Sequence, residues 1–255
     1  MNLIDTHTHL YLNDFAGDID AVIQRAGEEG VQKFYLPAID STETENLLAL
    51  EKKYPGKCFA MMGLHPCSVK ENYKEELDLV YSWLQKRKFA AIGEIGLDFY
   101  WDKTYSTQQY ECFHQQINWA LQFDLPVVLH TRDAMQQSLD VIKEYAGKNL
   151  KGIFHCFSGT LQNALDVIDL GFYLGIGGVI TYKNSGLAEV IKEIDLKNII
   201  LETDAPYLTP IPFRGKRNES SYLKYIVQKI AELKNITKEE VAEITAQNAK
   251  NAFCC

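Results

Sequence analysis

Five of the six histidines in this chain lie at the ends of four short apolar runs. The runs are Ile4-Asp5-Thr6-His7-Thr8-His9, Met62-Gly63-Leu64-His65-Pro66, Val127-Val128-Leu129-His130 and Gly152-Ile153-Phe154-His155. Two more runs end in carboxylates: Ala91-Ile92-Gly93-Glu94 and Ile199-Ile200-Leu201-Glu202-Thr203-Asp204. Imidazole and carboxylate delivered from separate strands to a common end form the donor set of a divalent-metal site. A lone histidine there is more often a satisfied core residue; five in parallel positions favour ligation. His7 and His9, two residues apart, share one face of an extended strand and could hold one ion together. Asp204 could reach that ion from the last strand, and His130 with His155 could hold a second. Glu94 has two oxygens and is the natural bridge. Two ions ~3.5–4 Å apart would share a hydroxide and clamp an anionic transition state.

Such convergence requires strands that end on one rim. Strand patterns fall at Leu3 to Asp5, Lys33 to Leu36, Phe59 to Gly63, Ala90 to Gly93, Val127 to Leu129, Gly152 to Phe154, Phe172 to Ile176 and Ile199 to Leu201. Each is short and apolar throughout, as when both faces of a parallel sheet are covered. Helical patterns separate them at Ile19 to Glu29, Glu43 to Lys53, Glu75 to Lys86, Thr107 to Phe123, Met135 to Tyr145, Leu161 to Leu170 and Leu187 to Ile194, and Tyr222 to Lys234 follows the eighth strand. A final helix from Lys238 to about Phe253 carries a capping box, Thr237 with Glu240. An open doubly wound sheet also alternates, but gives no reason to place ligands after its first, fourth, fifth, sixth and eighth strands. The fold class predicted is α/β, a closed (β/α)8 TIM-type barrel with the metal site at the C-terminal mouth of the strands.

The 255 residues suit one barrel domain spanning positions 1–255, and 46% hydrophobic content supplies its core. No apolar stretch is long enough to span a membrane. With a strand already at Leu3 there is no room for a signal peptide. The six cysteines show neither CxxC pairs nor disulfide-scaffold spacing, and Cys254-Cys255 reads as a surface tail. A cytoplasmic, reduced setting is expected. The net charge of −8 excludes a broad electrostatic nucleic-acid binder; a phosphate-bearing substrate would have to be held at one site.

Taken in order, these motifs resemble the TatD family of metal-dependent hydrolases in the amidohydrolase superfamily. The resemblance runs through Ile4 to Leu10, Gly63-Leu64-His65-Pro66, Gly93-Glu94-Ile95-Gly96-Leu97-Asp98, Leu129-His130-Thr131-Arg132, His155-Cys156-Phe157-Ser158-Gly159, Glu202 to Leu208 and Arg214-Gly215-Lys216-Arg217-Asn218. It implies metal-ligand roles for His7, His9, Glu94, His130, His155 and Asp204. It also implies two divalent cations (Zn, Mn, Mg, Fe or Ni), with histidine-rich ligation favouring metals other than Mg. Family members are chiefly deoxyribonucleases, often exonucleases, and some relatives remove D-amino acids from tRNA. Members often carry Asp after the HxHL segment and Pro after Arg-Asn-Glu; here Tyr11 and Ser220 stand there, which affects loop shape and substrate preference.

Around this core, Arg132, Arg214, Lys216 and Arg217 are candidate phosphate contacts, or else a solvated basic loop. His65 is assigned to substrate, with support of the metal ligands as the alternative. Tyr100 and Trp101 could stack a base or anchor a lid, and His114 reads as structural. Glu202 is expected to orient a ligand from behind. The expected function is a 3'-5' exonuclease-type deoxyribonuclease acting on single-stranded DNA ends, with Asp204 and Glu94 catalytic and Asp204 accepting the proton of the attacking water. The alternatives are an ester or amide hydrolase such as a D-aminoacyl-tRNA deacylase, or a non-catalytic metal-binding module.

Overall fold

In a computed structural model describing residues 1–253, eight parallel strands alternate with helices in the TIM-type (β/α)8 arrangement. The expectation for Cys254-Cys255 lies outside the described residues. The strands are β1 (Leu3–Asp5), β2 (Val31–Leu36), β3 (Cys58–Ala60), β4 (Ile92–Asp98), β5 (Val127–Arg132), β6 (Gly152–Phe154), β7 (Tyr173–Ile176) and β8 (Ile199–Leu201). The helices are α1 (Ile19–Glu28), α2 (Thr44–Lys53), α3 (Tyr73–Lys86), α4 (Ser106–Phe123), α5 (Met135–Lys143), α6 (Leu161–Asp169), α7 (Leu187–Glu193), α8 (Leu223–Lys234) and α9 (Lys238–Phe253). Among the described residues, no helix is long and apolar enough to cross a membrane.

Within the expected (β/α)8 arrangement, the backbone ladder is thin at two seams. Pairing runs as two parallel sheets, β1-β2-β3 and β4-β5-β6-β7-β8. Between β3 and β4 a single bridge, Met62 with Ile92, makes the link. Between β8 and β1, the Thr6 amide and hydroxyl both donate to the Leu201 carbonyl, at 3.0 and 2.9 Å. The strands at these seams include β1, β3 and β8, only three residues each, so little backbone is available to share.

Two apolar layers hold the strands in place. Ile4, Tyr35, Met61, Ala91, Val128, Ile153 and Ile200 form an inner cluster together with Ala246, Ala249, Ala252 and Phe253 of α9. Phe253 stacks on Tyr35 with ring centroids 3.8 Å apart. The other cluster lies between strands and helices, where residues such as Phe113, Ile117 and Leu129 are fully buried. The α9 start forms as expected: Thr237 Oγ1 accepts from the Glu240 amide, and Glu240 Oε2 accepts from the Thr237 amide. Because α9 packs on the inner cluster, polar chemistry is left to the C-terminal ends of the strands, where TIM-barrel active sites lie.

Strand β4 differs from its expected extent. Glu94 is not its end but its third residue, and the strand continues to Asp98. Gly96 permits this. A Cβ there would sit 2.2 Å from the His130 carbonyl oxygen, and its φ is +136°. Only glycine allows the close approach of β4 to β5, which pairs Gly96 with His130 and Asp98 with Arg132.

Candidate metal centre

The six residues expected to ligate metal meet at one rim. Glu94 lies at the middle, and its two oxygens face different histidines. Oε2 lies 3.1 Å from His7 Nε2 and 3.8 Å from His9 Nε2. Oε1 lies 2.7 Å from His130 Nδ1 and 3.7 Å from His155 Nε2. Asp204 Oδ1 is 3.7 Å from His7 Nε2, 3.6 Å from His9 Nε2 and 3.9 Å from His155 Nε2. The His7 and His155 rings stack with centroids 3.4 Å apart. Donor atoms of His7, His9 and Glu94 lie within 4.8 Å of one another, as do those of Glu94, His130 and His155, and those of His7, His155 and Asp204.

These residues fit divalent cations. Both ring nitrogens of fully buried His7 lack a hydrogen-bond partner, and an unpaired buried polar atom calls for a partner such as an ion. The donors are imidazoles and carboxylates in a mixture suited to transition metals. His7, His9, Glu94 and Asp204 would hold one ion; Glu94, His130 and His155 would hold the other.

Electrostatics in the cluster are reciprocal. Burial would raise the Glu94 carboxyl, but the imidazoles of His7, His65, His155 and His130 outweigh it and hold the group well below the usual carboxylate range. Asp204 follows the same pattern: burial is opposed by His9, His155 and His7, with a net lowering. Burial would lower His155, yet Glu202, Glu94 and Asp204 push it up to about 10. His7 is depressed, first by burial and then by the neighbouring His155.

Behind the donors stands a ring of groups that aim them. Glu202 is fully buried, with Oε1 3.0 Å from His155 Nδ1, close enough for charge pairing though out of line for a hydrogen bond; the same oxygen accepts from the Cys156 amide at 2.6 Å. Two further members were given no such role in the sequence reading. Asp98 Oδ2 lies 2.8 Å from His130 Nε2, so His130 is bracketed by Asp98 and Glu94. Its sequence signal was spacing: Glu94 and Asp98 are four apart, which places both on one face of an extended strand. Tyr11 is the other. Its hydroxyl donates to the Pro37 carbonyl at 2.7 Å, leaving its oxygen to accept from His9 Nδ1 at 3.0 Å. That bond fixes the His9 proton on Nδ1 and leaves Nε2 unprotonated, with its lone pair available to an ion. The departure from the family pattern at Tyr11 thus touches a ligand candidate, beyond the loop shape expected. Ser220 is buried at the start of the short 3-10 helix before α8.

The remaining candidates divide. His65 lies inside the cluster, with Nε2 3.5 Å from Glu94 Oε1 and 3.3 Å from His130 Nδ1, and its Nδ1 accepts from the Cys67 amide. Arg132 is exposed, with its guanidinium 4.1 Å from the Tyr100 ring centroid and 5.2 Å from that of Trp101. Arg214 stacks on Tyr182 at 4.5 Å, and Lys216 lies over Phe213 at 5.8 Å. Arg217 is not among the free cations. It forms a two-pronged pair with Asp18, at 2.8 and 2.7 Å, and also donates to the Asp14 carbonyl at 2.6 Å. It therefore pins the loop after β8 to the segment before α1, a use invisible in the basic run itself. His114, within α4, contacts the Tyr145 hydroxyl at 2.8 Å.

Comparison with known proteins points to metal-dependent hydrolases. An uncharacterized metal-dependent hydrolase, YabD, of Bacillus subtilis is 40% identical over 98% of both chains. The 3'-5' ssDNA/RNA exonuclease TatD of Erwinia tasmaniensis is 33% identical, covering 98% of this chain and 99% of that one. The crystal structure of YjjV, a TatD homologue of Escherichia coli, superimposes with a TM-score of 0.93 at 32% identity, covering 99% of this chain and 98% of that one. The family model described as TatD related DNase matches residues 4–254, and the chain belongs to that family of metal-dependent hydrolases.

Proposed function

We propose that this protein is a divalent-metal-dependent phosphodiesterase that trims single-stranded DNA from its 3' end. The observation that carries the reading is the division of Glu94 between two histidine pairs, His7 with His9 and His130 with His155. That layout suits two cations held side by side, the arrangement that serves in-line displacement at phosphorus. When bound, the cations lower the pKa of water and neutralise charge on phosphoryl oxygens. Asp204, whose side chain is 13% exposed at the edge of the cluster, accepts the proton released by the attacking water. Arg132 supplies a cation two residues beyond His130, and Arg214 a second from the loop after β8. Glu202, Asp98 and Tyr11 keep the imidazoles aimed so that little reorganises during turnover. The name of the Erwinia relative, a 3'-5' ssDNA/RNA exonuclease, supports both polarity and substrate. A cytoplasmic setting accords with the free thiols of Cys58, Cys67, Cys112 and Cys156.

The test is a substrate panel on chelated protein reconstituted with one metal at a time: 3'- and 5'-labelled single strands, duplex DNA, RNA and D-aminoacyl-tRNA. Shortening of single strands from the 3' end is expected. Hydrolysis of the aminoacyl ester with DNA left intact would overturn the reading in favour of a deacylase, and inertness toward every substrate would favour a binding module.

A further inference from the structure

Tyr100 and Trp101 are large aromatic side chains left 52% and 67% exposed on the loop that follows β4. The loop is nonetheless firmly held. Asp98 Oδ1 accepts from both the Tyr100 and Trp101 amides, at 3.0 and 2.9 Å, while Oδ2 of the same carboxylate contacts His130. The Phe99 amide donates to the Arg132 carbonyl at 3.0 Å. The backbone that carries the rings is therefore tied to the metal centre by a single carboxylate, which bonds the loop amides through one oxygen and His130 through the other.

Arg132 completes the arrangement. Unlike Arg25, Arg87 and Arg217, it makes no ion pair with a described carboxylate. Its guanidinium lies over the Tyr100 ring and near Trp101, whose rings stand at 87° with centroids 4.9 Å apart. A metal centre for simple esters has no need of exposed aromatic faces beside it. An unpaired nucleobase does: every base offers a flat face to an aromatic ring whatever its sequence, whereas a base inside a duplex has both faces occupied. Arg132, two residues beyond His130 on β5 and beside both rings, is a planar cation suited to the backbone phosphate of a stacked nucleotide.

We propose that Tyr100, Trp101 and Arg132 form a nucleobase-stacking subsite that selects substrates with an unpaired base next to the scissile phosphate. The inference rests on the phosphodiesterase reading and names what that site recognises. Preorganisation by Asp98 means that stacking requires little further ordering of the loop.

Trp101→Ala, Trp101→Phe and Trp101→Leu, with Tyr100→Ala, are compared on two single strands of equal length. One is oligothymidylate; the other carries tetrahydrofuran units in place of its terminal nucleosides. The wild type should favour the base-bearing strand in kcat/KM by roughly 5- to 150-fold, the range expected for one base stacked on an aromatic ring. Trp101→Ala and Trp101→Leu should narrow that ratio toward one, and Trp101→Phe should keep most of it. Unchanged ratios in both Trp101→Ala and Tyr100→Ala would overturn the proposal. So would equal losses on both strands together with lost metal, which would make the loop an anchor for His130. Should the wild type cleave neither strand, quenching of tryptophan fluorescence by oligothymidylate separates the two ideas. Quenching that disappears in Trp101→Phe supports the subsite while the phosphodiesterase reading fails, and quenching indifferent to Trp101→Phe overturns the subsite as well.

Discussion

Replacing Tyr11 with Phe removes one oxygen and leaves the ring in its buried place. Two partners then lose their bonds: the Pro37 carbonyl, which accepts from the hydroxyl, and His9 Nδ1, which donates to it. Leaving buried polar groups unpaired costs about 1–3 kcal/mol of stability. The more specific consequence concerns His9. Without an acceptor at Nδ1 the proton is free to occupy Nε2, the nitrogen aimed at Glu94 and Asp204, and molecules in that tautomer present N–H where a lone pair is needed. Loss of such a supporting contact lowers metal affinity by ~10–100-fold, or ~1.4–2.7 kcal/mol. Competition with a coloured chelator on metal-free protein reads the affinity, and melting of the same metal-free protein reads the stability. Weaker metal binding with a modest loss of melting temperature is expected. A variant that melts earlier yet binds metal as tightly as the wild type would refute the tautomer argument and leave Tyr11 a packing residue.

Asp204→Asn should keep the fold and lower turnover by ~10²–10⁴-fold with little change in KM; near wild-type turnover rejects Asp204 as proton acceptor. In metal-free protein the raised pKa of His155, about 10 against an ordinary 6.5, stabilises the fold fully below the ordinary value, and the contribution is lost as pH rises through about 10. A cation must displace that proton, so affinity should climb ~tenfold per pH unit between about pH 6 and pH 8; a flat affinity profile contradicts the assignment. Arg217→Ala should cost ~1 kcal/mol of stability or less, because its pair with Asp18 is one-third exposed, seen as a slightly lower melting temperature with KM for DNA retained. A large rise in KM would return Arg217 to the substrate.

Much of the centre was legible in the chain because its signals are local. A buried parallel strand reads as an apolar run and its end as the first polar residue, so Gly152–Phe154 and Ile199–Leu201 emerge with the predicted bounds. His7 and His9 do converge on Glu94 and Asp204, but both lie beyond β1, which ends at Asp5, so the strand alternation read from their spacing is not what aims them. Local reasoning failed where polar residues continue a strand. Glu94 looks like an end because a carboxylate follows Gly93, yet β4 runs on to Asp98, its polar groups matched by histidines from other strands.

What the amino-acid order determined by itself, then, is the alternation of elements and the set of imidazoles and carboxylates destined for one rim. The tertiary structure alone decided their partners. Tyr11 accepts from His9 because its own hydroxyl donates to the Pro37 carbonyl. Arg217 leaves the substrate face because Asp18, 199 residues earlier in the chain, lies within reach, whereas Arg132 remains unpaired beside Tyr100. Side-chain charge is written in the sequence, but which charge a side chain meets depends on distances that only the packed barrel sets.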